Sequence, residues 1–280
     1  RLPQIAPYGG VDFYMWTMNG SVGWSDAGIL IPYRFWKLYG DQQILTDYYS
    51  RMKRYAGFMM SRCGKLGLMA KPLGIRGEAK KYAVNWGQSY GEWAEPVDVC
   101  AFKISDFIAP HPEETTAYVV YMLETMVKIA KILGKYEDAS RYAKYIEIAR
   151  SGYRKLIETE KYSYDTDRQA KLVRPLYLGL LNEKQAEFAK KRLLSALDNY
   201  GWRLGTGFLS TPFILYVLED IDVEYAYKLL ENEQMPGWLF MPKMGANTIW
   251  ESWEGSELNK AKEILAYELT KLVHGEEEAE

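Results

Sequence analysis

The sequence predicts an all-α fold. Apolar residues recur at intervals of three and four over long segments, whereas strand-like alternation is nearly absent. The predicted long helices span residues 29–39, 44–62, 114–133, 136–159, 165–181 and 183–199. Shorter helices are expected at about 210–219 and 222–231 and near the C-terminus. This order of segments predicts helix pairs joined by short loops.

Turn residues mark the ends of these helices in chain order. Gly40 follows the first helix, and Gly134 lies between the third and the fourth. Asn182 and Gly201 lie on either side of the last long helix. Glycine is favoured just past a helix because it adopts the left-handed conformation without a steric penalty.

Three long loops separate the helices, at residues 8–28, 64–113 and 232–255. They are rich in Gly and Trp, and they exceed the usual connection of about four to six residues. Long loops on a rigid scaffold often carry binding and catalytic groups. The sequence therefore predicts a helical scaffold with a site formed by loops.

Composition is that of an ordinary globular domain. The 280 residues are 48% hydrophobic and 26% charged, and the formal net charge is −2. Because no block of Lys or Arg is present, neither nucleic acid nor a membrane surface is expected as a partner. No apolar run is long enough to span a bilayer, so we expect a soluble, cytoplasmic protein.

Cysteine and histidine usage predicts neither a disulfide nor a metal site. Cys63 and Cys100 lie far apart and outside any ligand pattern, so we expect free thiols. His111 precedes a helix at a predicted turn, and His274 has no neighbouring ligand pattern. No cofactor is expected.

The segment 244–255, Met-Gly-Ala-Asn-Thr-Ile-Trp-Glu-Ser-Trp-Glu-Gly, is the most informative in the chain. It places Glu251 between Trp250 and Trp253 with no balancing Lys or Arg. Desolvation by indoles disfavours the charged form of a carboxyl group and tunes it for acid or base chemistry. Indole faces also suit the apolar faces of sugar rings. The segment predicts a sugar site. The alternative interpretation is a Trp-rich segment of the core that carries a Glu on the surface.

This segment resembles the Gly-Ala-Thr-Thr-Ile-Trp-Glu-Arg-Trp-Asp-Gly stretch of bacterial α-L-rhamnosidases. Three further segments resemble the same family in the same order: Gly23-Trp-Ser-Asp-Ala-Gly28, Tyr90-Gly-Glu-Trp93 and Leu204-Gly-Thr-Gly-Phe-Leu-Ser-Thr-Pro212. The resemblance runs from about residue 5 to about residue 259. It implies a six-hairpin (α/α) barrel that cleaves terminal α-L-rhamnose from a rhamnose-containing glycoside with inversion. Because about nine or ten helices are predicted where a complete barrel of this class has about twelve, we expect the barrel to be incomplete at its N-terminal end.

The resemblance also implies roles for individual residues. Glu251 matches the Glu that acts as general base in the family. The family's general acid, a Glu shortly before the Gly-Trp pair, corresponds to Asn19, and an amide cannot donate a proton as an acid. Three explanations stay open: another carboxyl group serves, the chain is an inactive relative, or Asn19 is a deliberate substitution.

Other carboxyl groups are candidates for the missing acid. Asp26 matches the family's Asp after Gly-Trp, which contacts the rhamnose, so we expect it to bind substrate and regard it as a candidate acid. Asp12 is a weaker candidate, since a loop carboxylate or a helix cap fits it as well. Glu92 replaces the family's usual Asp in a motif that lines the sugar pocket.

Five tryptophans are expected to bind the sugar. They are Trp24, Trp86, Trp93, Trp250 and Trp253. Rhamnose carries a methyl group, whose burial against an apolar wall contributes about 0.8 kcal/mol. A packing role is the alternative for each of them. Trp36 and Trp202 are instead expected in the core.

The end of the chain departs from the family. Residues 1–259 are expected to form the barrel, and residues 260–280 an added helix with an acidic tail. The added segment resembles a late helical stretch of bacterial tyrosyl-tRNA synthetases but contains none of their catalytic motifs, so it implies no aminoacylation. A helix that closes the barrel, a fused tag, a chimeric reading frame and coincidence are the open interpretations.

The sequence therefore leaves two alternative functions. The first is a glycoside hydrolase that removes terminal α-L-rhamnose with Glu251 as base. The second is a rhamnoside-binding relative without catalytic activity, which the residue at position 19 favours. A barrel that acts on another sugar is a further alternative, and only a substrate panel distinguishes it.

Overall fold

The structure is a computed structural model in which two compact units are recognised. It describes residues 2–3, 19–62, 90–100, 111–250, 252–253, 267 and 271. The first unit comprises Arg1–Gly91, Lys103–Thr166 and Lys171–Arg192, and the second comprises Glu92–Phe102, Asp167–Ala170 and Leu193–Glu280. None of the described residues lies in a β-strand, so the all-α prediction is confirmed for this part of the chain.

Nine α-helices follow one another within the described ranges. They are α1 (Ala27–Tyr39), α2 (Gln43–Met60), α3 (Pro112–Ile132), α4 (Tyr136–Leu156), α5 (Gln169–Tyr177), α6 (Glu183–Asn199), α7 (Thr211–Glu219), α8 (Val223–Leu230) and α9 (Phe240–Lys243). A 3₁₀-helix, Glu160–Tyr162, follows α4. In this same part of the chain, no helix has the length and apolarity needed to cross a bilayer.

The predicted helices agree with the observed ones except around α5. Helix α6 has the predicted bounds, but the prediction of a helix over 165–181 was wrong at both ends. A turn precedes α5, in which the backbone N–H of Asp165 donates to Ser163 Oγ. At the other end Gly179 has φ of 58°, and the N–H of Leu180 bonds the carbonyl of Pro175. This left-handed turn ends the helix before its apolar pattern ends.

Helix α3 lies in the core of the first unit. Its N-terminal two-thirds are buried on nearly every face, which is typical of a helix surrounded by protein. Pro112 begins the helix at a position where a missing N–H costs little. Gly134, with φ of 68°, follows α3, and a short connection leads to α4, with which α3 packs along its length. Helices α1 and α2 also contact α3.

The second unit has its own core around α7 and α8. These two helices pack against each other, and Asp222 caps α8 by accepting from the N–H of Glu224 at 3.0 Å. Trp202 is buried, as predicted, and its indole N–H donates to Asp198 at 2.6 Å. Trp36, also predicted in the core, is only half-buried on α1 of the first unit. Of the C-terminal helix expected after residue 260, only Tyr267 and Lys271 are described, and both are helical.

Candidate active site

The segment 19–28 is a tight turn that leads into α1. Gly20 and Gly23 have φ of 91° and 84°, a backbone conformation that suits glycine. The N–H of Gly20 donates to Ser25 Oγ at 3.0 Å, and the Ser25 hydroxyl donates to the carbonyl of Leu2. A Cβ on Gly28 would lie 2.4 Å from Leu2 Cδ1, the end of a side chain that rests against this position. These contacts fix the backbone on which Asp26 is carried.

Asp26 is buried at the start of α1 and accepts two hydrogen bonds from neutral groups. The backbone N–H of Gly23 donates to Oδ2 at 3.0 Å. The hydroxyl of Tyr55, on α2, donates to Oδ1 at 2.7 Å. Asp26 is 1% exposed, so its carboxyl group has exchanged water for these two donors. Among the described residues, no Lys, Arg or His forms an ion pair with it.

Burial raises the pKa of Asp26 to about 6. Desolvation is the largest cause, because removing water disfavours the ionised form. The hydrogen bonds from Gly23 and Tyr55 act in the opposite direction, but they offset only part of the effect. A carboxyl group with this pKa exchanges its proton close to neutral pH, which is what acid and base catalysis require.

The first two family-like segments meet at an aromatic pair in the first unit. The rings of Trp24 and Tyr90 have their centroids 4.7 Å apart and are tilted by 57°. Trp24 remains half-buried, so part of the residue is accessible to solvent. Beside this pair Gly91 has φ of 70°, and a Cβ there would lie 3.5 Å from the ring of His111. Trp24 and Asp26, both predicted site residues, are therefore positioned by the same turn.

Glu92 lies in the second unit and is held by the start of α7. It is 5% exposed. Its carboxylate accepts from the backbone N–H of Ser210 at 2.6 Å and from the Ser210 hydroxyl at 2.8 Å. An anion at a helix N-terminus is stabilised by the helix dipole and by the unpaired N–H groups there. Glu92 thus connects the second family-like segment to the third.

Trp93 is joined to the third segment through its backbone. The N–H of Phe208 donates to the Trp93 carbonyl at 2.8 Å. At Gly207 a Cβ would lie 2.2 Å from that same carbonyl oxygen, so no other residue fits without displacing the backbone. Ala94 has φ of 59°, which is uncommon for a residue with a side chain. The Trp93 side chain itself is half-buried.

The fourth segment packs on the third through Trp253. This residue is buried, and its indole N–H donates to the carbonyl of Thr206 at 2.8 Å. Trp250 is half-buried and packs edge-on against Phe240, with ring centroids 6.0 Å apart. The buried Trp253 anchors the segment, while Trp250 keeps part of its surface accessible. The sugar-binding roles of both indoles stay predictions.

Three predicted site residues, Glu251, Asp12 and Trp86, lie outside the described residues, as do Cys63 and His274. Asn19 is described and lies half-buried in the turn before Asp26. Cys100 is described and is half-buried. Within the described ranges, no group of three or more His, Cys, Asp and Glu side chains could hold a metal ion.

Sequence reasoning missed the residues that hold the predicted ones. Tyr55 lies in the middle of a helical pattern, where an aromatic residue is predicted to pack in the core. Only its hydroxyl group distinguishes it from an ordinary core residue such as Phe. Ser210 belongs to a family-like segment, but its partner Glu92 is 118 positions away. A separate pair, Arg168 and the buried Glu95, was also missed: two guanidinium nitrogens donate to a carboxylate that no local pattern singles out.

The described structure is thus a helical scaffold whose turns and loops carry carboxyl and indole side chains. The model of the bacterial α-L-rhamnosidase six-hairpin glycosidase domain matches residues 1–265, and the chain belongs to this family. With the all-α structure, this membership confirms the predicted six-hairpin (α/α) barrel class.

Relatives and solved structures agree with this family. An α-L-rhamnosidase of Formosa agariphila is 28% identical over 95% of this chain and 27% of its own length. The crystal structure of Streptomyces avermitilis α-L-rhamnosidase complexed with L-rhamnose is 27% identical, with a TM-score of 0.66 over 84% of this chain and 20% of that one. The α-L-rhamnosidase of Dictyoglumus thermophilum is 29% identical, with a TM-score of 0.67 over 83% of this chain and 24% of that one.

The chain spans about a quarter of the length of the curated relatives that it matches. A second, partial likeness is to the tyrosine–tRNA ligase of Clostridium perfringens. It is 47% identical over 62 residues, which are 22% of this chain and 13% of the ligase. The resemblance to two protein families is therefore confirmed, and the likeness to the ligase is confined to a minor part of the chain.

Proposed function

We propose that this chain hydrolyses terminal α-L-rhamnosides with inversion at the anomeric carbon. Family membership supports the class of reaction. The observation that carries the proposal for this chain is the carboxyl group of Asp26, which is buried beside Trp24 and has a pKa of about 6. A pKa shifted toward neutral suits a carboxyl group to exchange a proton during acid or base catalysis.

The proposed reaction uses two carboxyl groups and one water molecule. Glu251 accepts a proton from water, whose oxygen attacks the anomeric carbon as the glycosidic bond breaks. An acid protonates the departing glycosidic oxygen, so that the products are rhamnose of inverted configuration and a free alcohol. Inverting enzymes of this kind separate the two carboxyl groups by about 6.5–9.5 Å to leave room for the water.

Asp26 is the described residue best suited to supply the acid that Asn19 cannot supply. With a pKa of about 6, it carries a proton in a substantial fraction of molecules at mildly acidic pH. Its ionised form would instead accept hydrogen bonds from sugar hydroxyls. The pH dependence distinguishes these roles, because loss of activity above pH 6 indicates an acid and loss below pH 6 a binding carboxylate.

The remaining predicted residues would bind the sugar. Trp24 and Trp93 are half-buried on loops and retain accessible indole surface. Trp250 shares this property. Glu92 and Trp253 are buried and bound by neighbouring backbone, so they would shape the loops that contact the sugar. We assign Asp12 and Trp86 to the same set on their positions in aromatic loop segments of the sequence.

The barrel would occupy residues 1–259, with residues 260–280 as an added segment. A second candidate function keeps the same site but removes the chemistry. In that case the chain binds terminal rhamnosides without cleaving them, and the residue that favours this function is Asn19.

Hydrolysis of p-nitrophenyl α-L-rhamnoside tests the proposal. We expect the wild-type chain to release p-nitrophenol, Glu251→Gln to lower kcat by about 10²–10⁴-fold, and the matched control Glu254→Gln to leave it nearly unchanged. Asn19→Glu should raise kcat if the acid position is the only defect. Binding of L-rhamnose without turnover in any variant would support the binding function, and the absence of both would contradict the substrate class.

A further inference from the structure

Tyr55 is a buried side chain that no step of the proposed reaction uses. It lies on α2 and is 2% exposed. Its hydroxyl donates to Asp26 Oδ1 at 2.7 Å, which is the shorter of the two hydrogen bonds that the Asp26 carboxyl group accepts. A side-chain donor that reaches a candidate site carboxyl from another helix is able to orient that carboxyl group.

Capping of α1 does not account for the orientation of Asp26. The residue is at the N-cap position, where Asp commonly accepts from the N–H groups of the first turn. Here its side chain makes no such bond. The carboxyl group turns back to the N–H of Gly23 and across to Tyr55. Its direction is therefore set by these two donors and not by the helix that it begins.

Tyr55 is itself held in place as a neutral donor. Burial and the nearby Asp26 raise its pKa well above the ordinary value, so the phenol keeps its proton over the working pH range. The positive charge of Arg62 and the hydrogen bond with the Ser25 hydroxyl lower the pKa of Tyr55 without reversing this shift. The ring of Phe58 stacks next to it, with centroids 6.4 Å apart.

We infer that Tyr55 is a positioning residue for the candidate site, whose hydroxyl fixes the direction of the Asp26 carboxyl group and favours its ionised form. A hydrogen bond donated to a carboxylate is stronger than one donated to the corresponding acid. Tyr55 therefore limits the upward shift that burial imposes on Asp26. The effect of Tyr55 on Asp26 is independent of the reaction, but its consequence for rhamnoside turnover rests on the proposed function.

A second tyrosine on the same helix provides a matched control. The hydroxyl of Tyr49 donates to Asp138 Oδ2 at 2.8 Å, so Tyr49→Phe also removes a phenol from a carboxylate. Asp138 is also paired with Lys53, and it belongs to α4 rather than to a family-like segment. Any change caused by losing a tyrosine–carboxylate bond on α2 in general should appear in both variants.

The test is a carbon-13 NMR titration of Asp26 in wild type, Tyr55→Phe and Tyr49→Phe. We expect the pKa of Asp26 to rise by about one unit in Tyr55→Phe and to stay unchanged in Tyr49→Phe. In the wild-type protein, the Cζ resonance of Tyr55 should move with the midpoint of Asp26, while that of Tyr49 should not. This last measurement needs no variant, so it holds even if Tyr55→Phe does not fold.

An unchanged pKa of Asp26 in a folded Tyr55→Phe variant overturns the inference, and so does a Tyr55 Cζ resonance that ignores the Asp26 midpoint. If wild type is active, the pH profile of kcat/KM should move in the direction of the NMR midpoint in Tyr55→Phe only. If wild type is inactive while the NMR shift occurs, the proposed function fails and the positioning role stands.

Discussion

Two buried carboxyl groups in the first unit each accept a hydrogen bond from a tyrosine but differ in their charge environment. Asp26 accepts from Tyr55 at 2.7 Å, and Glu113 accepts from Tyr153 at 2.9 Å. Each lies at the beginning of a helix, so the helix dipole acts on both. Glu113 also binds the buried guanidinium of Arg174 at 3.0 Å, whereas no described cation pairs with Asp26.

The positive charges near Glu113 reverse the direction of its pKa shift relative to that of Asp26. Burial acts on both groups and is the largest cause in each case. At Glu113 the Arg174 charge, with help from Lys171 and Tyr153, outweighs burial and lowers the pKa. At Asp26 two neutral donors do not outweigh it. A tyrosine thus orients a buried carboxyl group, and a cation decides whether that group retains its proton near neutral pH.

Removing the cation from Glu113 should produce the largest effect. In Arg174→Met, Glu113 is left buried with only its tyrosine and more distant charge, and the free energy of unfolding at neutral pH should fall by about 3–5 kcal/mol. Urea denaturation followed by circular dichroism measures this change.

The double variant Glu113→Gln/Arg174→Met is the control for this prediction. It removes both charges and should recover a large part of the lost stability, because no uncompensated charge remains buried. A single Arg174→Met variant as stable as wild type would contradict the contrast between Glu113 and Asp26, since the cation would then not be needed to keep Glu113 ionised.

Removing the ionisable group at Asp26 should have a smaller effect that depends on pH. The folded-state pKa is raised from 3.8 to about 6, so the protonated form stabilises the fold at low pH and this contribution is lost as pH rises through 6. Asp26→Asn undergoes no such loss. From about pH 4 to about pH 8, the stability of the variant relative to wild type should improve by about 2 kcal/mol. Thermal melts at both pH values measure it, and a constant difference would contradict the raised pKa.

A substitution at Glu92 should have the smallest effect on stability of the three. Two donors to its carboxylate belong to Ser210 at the start of α7. If the helix N-terminus stabilises the ionised form of this carboxyl group, Glu92→Gln should lower the free energy of unfolding by about 1 kcal/mol at neutral pH. Chemical denaturation measures this change against Glu224→Gln, an exposed control in the first turn of α8. A more stable Glu92→Gln variant would place Glu92 in the same category as Asp26.

The helical scaffold was predictable because the three-and-four spacing of apolar residues that marks a helix is visible in a short stretch of sequence. The bounds of α6 follow directly from its apolar spacing and the turn residues around it. The end of α5 did not follow, because apolar residues continue past the point where Gly179 takes a left-handed conformation. The short helix α9 lies inside a predicted loop, since four residues do not establish a period.

The candidate site was predictable only where a motif pointed to it. Asp26 and Trp24 were named from the Gly-Trp segment, and the structure places them on one turn. The pKa of Asp26 was not predictable, because it depends on burial and on Tyr55, 29 positions away in the chain. Glu92 and Ser210 belong to two motifs far apart in the chain. The spacing of apolar residues does not predict that they form a hydrogen bond. Local patterns thus identified the groups, and tertiary contacts determined their chemistry.

The most direct test is a carbon-13 titration of the wild-type protein that follows Asp26 Cγ and Glu113 Cδ in one experiment. We predict a midpoint of about 6 for Asp26 and a midpoint below the ordinary 4.5 for Glu113. This order reverses that of the free amino acids, in which Asp is the stronger acid. An Asp26 midpoint at or below that of Glu113 would contradict the claim that burial, with no described cation beside it, leaves Asp26 able to exchange a proton near neutral pH.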